Sequence, residues 1–224
     1  LVWGAAWDMT RDAEASTGDF VELVLSGIDA ETDIGVVQTV LRQARMAIDQ
    51  YAAPANRAGY LERYADTMRT LALAAEPGSD RQLAFTRAFA GAATGTTDVA
   101  VVAGLLDATT TWAGLAVDTD LRWSLLHALV ASGERGDGAI DAELARDDTA
   151  TGRRHAASAR AAVPSEQAKL RAWADIMHRT DLPNAIMEST ITGFMQPDQV
   201  DLLVPYRERY FAALARVWDA RPNE

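Results

Sequence analysis

The chain has 224 residues, 49% hydrophobic and 24% charged, so it can bury a sizeable core without disulfides or a structural metal. A net charge of −11 with a single lysine, Lys169, excludes the basic patch that nucleic acid or an anionic membrane surface requires. Cysteine is absent, which excludes disulfides, thiol catalysis and thiolate metal sites and suits a reducing, cytoplasmic compartment.

The predicted elements follow one another as helices. Acids gather early: Asp8, Asp12, Glu14, Asp19, Glu22, Asp29, Glu31 and Asp33 against one base, Arg11. This is a solvated face, or an attraction for a cationic ligand or basic partner. Trp3 and Trp7 lie four residues apart on one helix face, either as core or as a contact for a preceding domain. The second reading expects at least one of them to be partly exposed. From Asp33 to Gln50, Ile34, Val37, Leu41, Ala44 and Ile48 share a face. From Pro54 to Ala75 the stripe is Tyr60, Leu61, Tyr64, Met68 and Leu71.

Ser79 and Gln82 form a capping-box pattern ahead of Phe85 and Phe89. Thr97 is the expected cap for Val99, Val102 and Leu106. Asp118 or Thr119 caps Leu121, Leu125 and Leu129, and Gly133 stops that helix. Beyond the polar loop Glu134–Gly138, a short helix is expected near Ile140–Ala145 and another over Thr151–Ala162. Pro164 and Ser165 start a helix with Leu170, Trp173, Ala174 and Met177 on its core face. Pro183 starts the next, which carries Ile186, Met187 and Ile191 and ends at Gly193. Pro205 opens the last, lined by Tyr206, Tyr210, Leu214, Val217 and Trp218 as core.

A helix pair takes about 40 residues, the size of a HEAT or armadillo unit. The expected fold is therefore all-α, a HEAT/armadillo-like array of antiparallel helix pairs forming one domain over residues 1–224, its weakest point at Glu134–Gly138. No stretch approaches the roughly 20 apolar residues of a membrane helix. The opening Leu1-Val2-Trp3 has no initiator Met and reads as a cut from a longer polypeptide.

Catalytic motifs are absent. His127, His155 and His178 are too far apart for H-E-x-x-H. No G-x-S-x-G elbow, P-loop or G-x-G-x-x-G occurs. Asp118-Thr119-Asp120 opens like a calcium loop, but Trp123 replaces the turn glycine and Leu129 the closing Glu. No catalytic or metal-ligating residue is assigned.

Several segments taken together resemble the C-terminal helical domain of zinc aminopeptidases of the aminopeptidase N type, in its bacterial form. The opening Leu1 to Met9 with Arg11-Asp12-Ala13-Glu14 is similar to that domain's first helix. Asp19-Phe20-Val21 and Glu31-Thr32-Asp33 resemble the second helix and the entry to the third. Gly114 to Trp123 is the best-matching segment. Gly193-Phe194, Leu202 to Tyr206, Tyr210-Phe211 and Val217-Trp218 match the tail. The resemblance spans the chain through the order and spacing of these motifs.

The resemblance implies a part of a peptidase that removes amino-terminal residues from peptides. Zinc belongs to a catalytic domain upstream, and this chain has no cofactor and is inactive alone. It implies a cap that closes the active-site chamber and positions or size-selects the peptide. The implied partners are the catalytic domain of the same polypeptide and the peptide substrate, with no nucleic acid and no membrane. Basic residues facing the peptide's carboxyl end are implied, with Arg122 the first candidate and Arg207 and Arg209 behind it. A free-standing helical scaffold that binds a protein or peptide in its groove is the alternative.

Overall fold

Apolar stripes broken by Ser, Thr and Asp caps lead, among the described residues, to helices and to no other regular structure. The computed structural model describes residues 2–220. Twelve α-helices, two short 3-10 turns (Ile28–Ala30 and Pro197–Gln199) and one π turn (Ala47–Tyr51) make up their regular structure. The fold is an all-α array of packed helices, as the 3.6-residue period predicts. Leu1, the first residue of the opening segment, lies outside the described residues. The chain divides between Ala128 and Leu129 into two compact units, a few residues before the Glu134–Gly138 loop.

The first unit starts with α1 (Val2–Arg11) and α2 (Thr17–Gly27). Trp3 and Trp7 are both half-buried. The Trp3 indole N–H donates to Glu31 Oε2 at 3.0 Å, and the Trp7 ring packs against Phe20 and Tyr51, with centroids 5.6 and 6.0 Å away. Glu31 Oε1 accepts the Thr32 and Asp33 N–H groups. Asp33 then caps α3 (Ile34–Met46) by accepting from Gly35 N at 2.8 Å and Val36 N at 3.0 Å. The Asp33 N–H, and after it the Trp3 indole, hold the Glu31 carboxyl below its ordinary range. The Glu-Thr-Asp run is thus a helix entrance built from carboxylates.

Val37, Leu41, Ala44 and Ile48 are buried, as their spacing predicts. Tyr64, on α4 (Pro54–Ala74), donates its buried hydroxyl to Leu41 O at 3.1 Å and ties α4 to α3. Burial pushes that phenol's pKa up.

Helix α5 (Asp80–Ala92) packs along α4. Ser79 caps it, accepting the Gln82 N–H at 3.2 Å, but the reciprocal half of the capping box is displaced. Gln82 Oε1 accepts from Gly78 N at 2.8 Å, and Ser79 N donates instead to Glu76 O. The physical reason is that Gln82 is buried and serves two further groups. Its Nε2 donates to Ala113 O at 3.0 Å and Ala72 O at 3.3 Å. Gly114 (φ +74°) rests on Pro77 and Gly78 at the same place, where a Cβ would lie 2.5 Å from the Pro77 carbonyl carbon. Gln82→Met removes all three side-chain hydrogen bonds while keeping the volume. It is expected to destabilise the first unit by about 2 kcal/mol, the cost of buried backbone groups left unpaired. A urea titration of the two chains checks this.

Helix α6 (Thr96–Leu106) corrects the cap expected at Thr97. Gly95 occupies the cap position without a side-chain hydrogen bond, and Thr97 is an exposed residue of the first turn. The helix enters two residues earlier, with Gly95 in extended backbone at the cap. Helix α7 (Thr119–Ala131) starts on Asp118, whose Oδ1 accepts Leu121 N at 2.8 Å.

In the second unit Gly133 (φ +83°) ends α7. Its N–H donates to Val130 O, and Arg135 N to Leu129 O, the αL closure that favours glycine. Helices α8 (Asp137–Arg146), α9 (Ala150–Ala162), α10 (Glu166–His178), α11 (Asn184–Phe194) and α12 (Val200–Ala220) follow. Thr149 and Ser165 cap α9 and α10.

Four expectations are corrected in this unit. The core face of α10 is Ala168, Lys169 and Ala172, while Leu170 and Ala174 are exposed and Trp173 and Met177 half-buried. Ala168 and Ala172 let the neighbouring helices approach on that face, and Lys169 is accommodated there by two backbone carbonyls. Gly193 does not end α11 but lies buried inside its last turn against the Ser158 backbone of α9. Pro205 does not open α12. The helix begins at Val200, which leaves the preceding 3-10 turn already in α-helical conformation (φ −54°, ψ −40°). Pro205 therefore sits inside α12, near enough its start that little of the helix is interrupted. Of the aromatic residues expected as core there, only Tyr206 is buried; Tyr210 and Trp218 are exposed.

Candidate functional site

The three arginines singled out by sequence have different local roles. Arg122 is half-buried on α7, and its Nη1 donates to Leu106 O at 3.0 Å. Its cation thus sits at the negative end of α6, where it satisfies a terminal carbonyl. Arg207 and Arg209 are exposed on α12. The Arg209 guanidinium lies 5.2 Å from the centroid of the Tyr206 ring. The structure thus brings Arg207 and Arg209 onto one exposed stretch, whereas Arg122 belongs to the first unit.

His127 and His155 are half-buried on α7 and α9, and His178 is exposed at the end of α10. Among the described residues, no group of three or more His, Cys, Asp or Glu side chains is placed to hold a metal ion. The donor set for zinc, three protein ligands around an open water position, is not offered by the described residues.

Two grooves mark the second unit. One, of about 490 Å³, runs beside α8 to α11. Its floor is alanine (Ala157, Ala161, Ala168 and Ala172), and its walls are ion pairs. Arg160 donates to Asp141 at 2.6 Å, Arg171 to Asp137 at 3.3 Å and Arg179 to Asp181 at 2.6 Å. The Arg179 hydrogen bond holds the Asp181 carboxyl below its ordinary range. Exposed pairs of this kind contribute little stability each, and the guanidiniums they engage keep N–H donors for other acceptors. The walls can meet charged or polar chain segments, but they set no nucleophile against a base.

The other groove, of about 510 Å³, is apolar. It lies over an aromatic cluster in which Trp173 and Phe194 each place a ring centroid 5.1 Å from that of Tyr206. Met177, Ile191, Leu203 and Phe211 extend its lining, and Arg207 is the one charged residue among the described lining residues. The cluster is anchored by a group that sequence reasoning missed. Lys169 is 0% exposed, and its Nζ donates to Ala161 O at 2.8 Å and Phe194 O at 3.1 Å. It thereby joins the last turns of α9 and α11. Burial pushes the Lys169 pKa down to about 8. The available signal was its being the only lysine in the chain, set between Ala168 and Ala172 on a helix.

A family model described as ERAP1-like C-terminal domain matches residues 1–224. Aminopeptidase N of Streptomyces lividans is 52% identical over 224 residues, which is 100% of this chain and 26% of that protein. The chain therefore spans about a quarter of the length of the curated relative it matches. Among the described residues no helix is long and apolar enough to cross a membrane.

Proposed function

We infer the function from the family to which this chain belongs, that of ERAP1-like C-terminal domains: it serves as the C-terminal helical domain of an aminopeptidase N-type zinc aminopeptidase, acting in the cytoplasm. The observation that carries this reading is the 52% identity that runs through the whole chain. Zinc and the bond-breaking groups belong, in this reading, to the remainder of such a polypeptide. This domain's contribution is to cover the active-site chamber, exclude bulk water, and position or size-select the peptide. These are binding effects that act through orientation. Arg207 and Arg209, exposed and cationic, are the groups offered to a peptide's carboxyl end. Arg122, engaged with Leu106 O, supports the fold of the first unit.

The test uses the full polypeptide that carries this chain. Cleavage of a leucyl or alanyl reporter amide is expected, abolished by a chelator and restored by zinc. Arg207→Ala with Arg209→Ala is expected to raise KM several-fold for peptides with a free carboxyl and to leave amidated peptides unchanged, the signature of a lost charge-assisted contact. Absence of chelator-sensitive turnover overturns the peptidase reading. Equal effects on free and amidated peptides overturn the role of the two arginines.

A further inference from the structure

The groove beside α8 to α11 has no part in the proposed function, and its charges are unusually balanced. Four arginines and three aspartates face about 490 Å³ over a floor of alanines. Signs so close to balance favour neither a polyanion nor a polycation. They suit a small neutral molecule that carries both charges, and the volume is that of a small-molecule site.

Most of these charges are firmly engaged. Arg160 donates to Asp141 at 2.6 Å and Arg153 to Asp148 at 2.7 Å. Arg179 donates twice to Asp181, at 3.0 and 2.6 Å. Two side chains are held loosely. Arg171 reaches Asp137 through one nitrogen at 3.3 Å. The ion pair described for Asp175, with Arg179 Nη1, is 3.8 Å long, beyond hydrogen-bond range. Arg171 and Asp175 stand four residues apart on α10 and are neighbours on one helix face. Ala168 and Ala172 lie buried on the floor beside them, with Leu182 and Ile186 in the lining. A guanidinium with donors to spare, a carboxylate with lone pairs to spare and an apolar floor therefore meet in one place.

We propose that this groove binds the zwitterion of an α-amino acid with an apolar side chain. The ligand carboxylate accepts from the Arg171 guanidinium, whose fork of N–H donors matches it. The ligand ammonium donates to the Asp175 carboxylate. The apolar side chain rests on Ala168 and Ala172 against Leu182 and Ile186. Adjacent opposite charges on the ligand thus meet adjacent opposite charges on one helix face. Resting on the proposed function, one clause follows: such a molecule is a product of the parent enzyme, and the groove responds to its accumulation.

The experiment is equilibrium dialysis of labelled leucine against the full polypeptide with a zinc chelator present. Two single-charge probes accompany it: 4-methylpentanoate, which lacks the ammonium, and 3-methylbutylamine, which lacks the carboxylate. Turnover is measured on untreated samples of the same protein. Leucine is expected to bind with a Kd of about 1 mM, and each single-charge probe at least about fivefold more weakly. Asp175→Asn is expected to weaken leucine at least about fivefold without weakening 4-methylpentanoate. Arg171→Gln is expected to weaken leucine and 4-methylpentanoate without weakening 3-methylbutylamine. This charge-by-charge split is one that a merely structural role for either residue would not produce. Leucine binding that is absent, equal in the parent and both variants, matched by a single-charge probe, or lost equally for all three ligands overturns the site. Turnover without the split leaves the peptidase reading standing and removes the amino-acid site. The split without chelator-sensitive turnover keeps the site and removes its reading as a product site.

Discussion

Gly193→Ala is expected to remove the cooperative packing of the second unit. A Cβ at this position would lie 1.9 Å from Ser158 O and 2.7 Å from Ser158 C. Both are backbone atoms inside α9, so no rotamer change relieves the clash and one helix must move away from the other. That movement opens the interface lined by Ala156, Ala159 and Ala162, and it stretches the Lys169 hydrogen bonds to the ends of α9 and α11. Overpacking a well-filled interface costs typically 1–3 kcal/mol, and with backbone on the receiving side we expect about 3 kcal/mol or more. Amide exchange should show protection lost first in α9 and α11. Gly138→Ala is the matched control. It lies in α8 with nothing within 4 Å of its Cβ position, so it should be neutral or stabilising by about 0.5–1 kcal/mol, the ordinary helix preference for alanine. Equal midpoints for the two variants would show that α9 and α11 are not held by this contact.

The same residues show what the sequence disclosed and what it did not. Helix existence was legible because apolar spacing and cap chemistry are local. Asp33, Asp118 and Gly133 do what their types suggest, and the stripe from Val37 to Ile48 is buried. Errors arose where the deciding partner is distant in sequence. Gln82 looks like half of a local box, yet it is drawn toward Ala113 O, 31 residues away. Gly193 looks like a stop signal, yet it is a contact point for a helix that precedes it in the chain. Leu170 outranks Ala168 in hydrophobicity, but only alanine and the Lys169 stem fit the close helix interface. At the candidate site, the arginine residue type was legible and its surroundings were not. Arg122 is engaged by a helix end, while Arg207 borders an apolar groove that period-counting had treated as core. That face was readable as apolar and helical, but not as exposed.

Raising the pH from 7 to 9.5 is expected to stabilise the chain through Lys169. The ammonium is fully buried, and burial alone depresses its pKa to about 8 from an ordinary 10.5. Between those two values the unfolded chain binds more protons than the folded one, so stability rises with pH. The gain is about 2 kcal/mol from pH 7 to 9.5, approaching about 3 kcal/mol above pH 10.5. Proton loss need not break the site: a neutral amine keeps two N–H donors, enough for Ala161 O and Phe194 O. The window is favourable because the chain has no cysteine and no other lysine to titrate across it. Lys169→Met removes the titrating group while keeping most of the volume. At pH 7 the desolvated charge it removes offsets the carbonyl it leaves unpaired, and its midpoint should lie near that of the parent chain. At pH 9.5 the parent should lead by about 2 kcal/mol. Lys169→Ala adds a cavity and should cost about 2–4 kcal/mol more than Lys169→Met, so its deficit against the parent should be about 2 kcal/mol larger at pH 9.5 than at pH 7. Urea midpoints of the three chains across this range decide the matter. Parallel profiles for parent and Lys169→Met would mean that the ammonium retains its ordinary hydration in the folded state, and the junction of α9, α10 and α11 would then have to open to water.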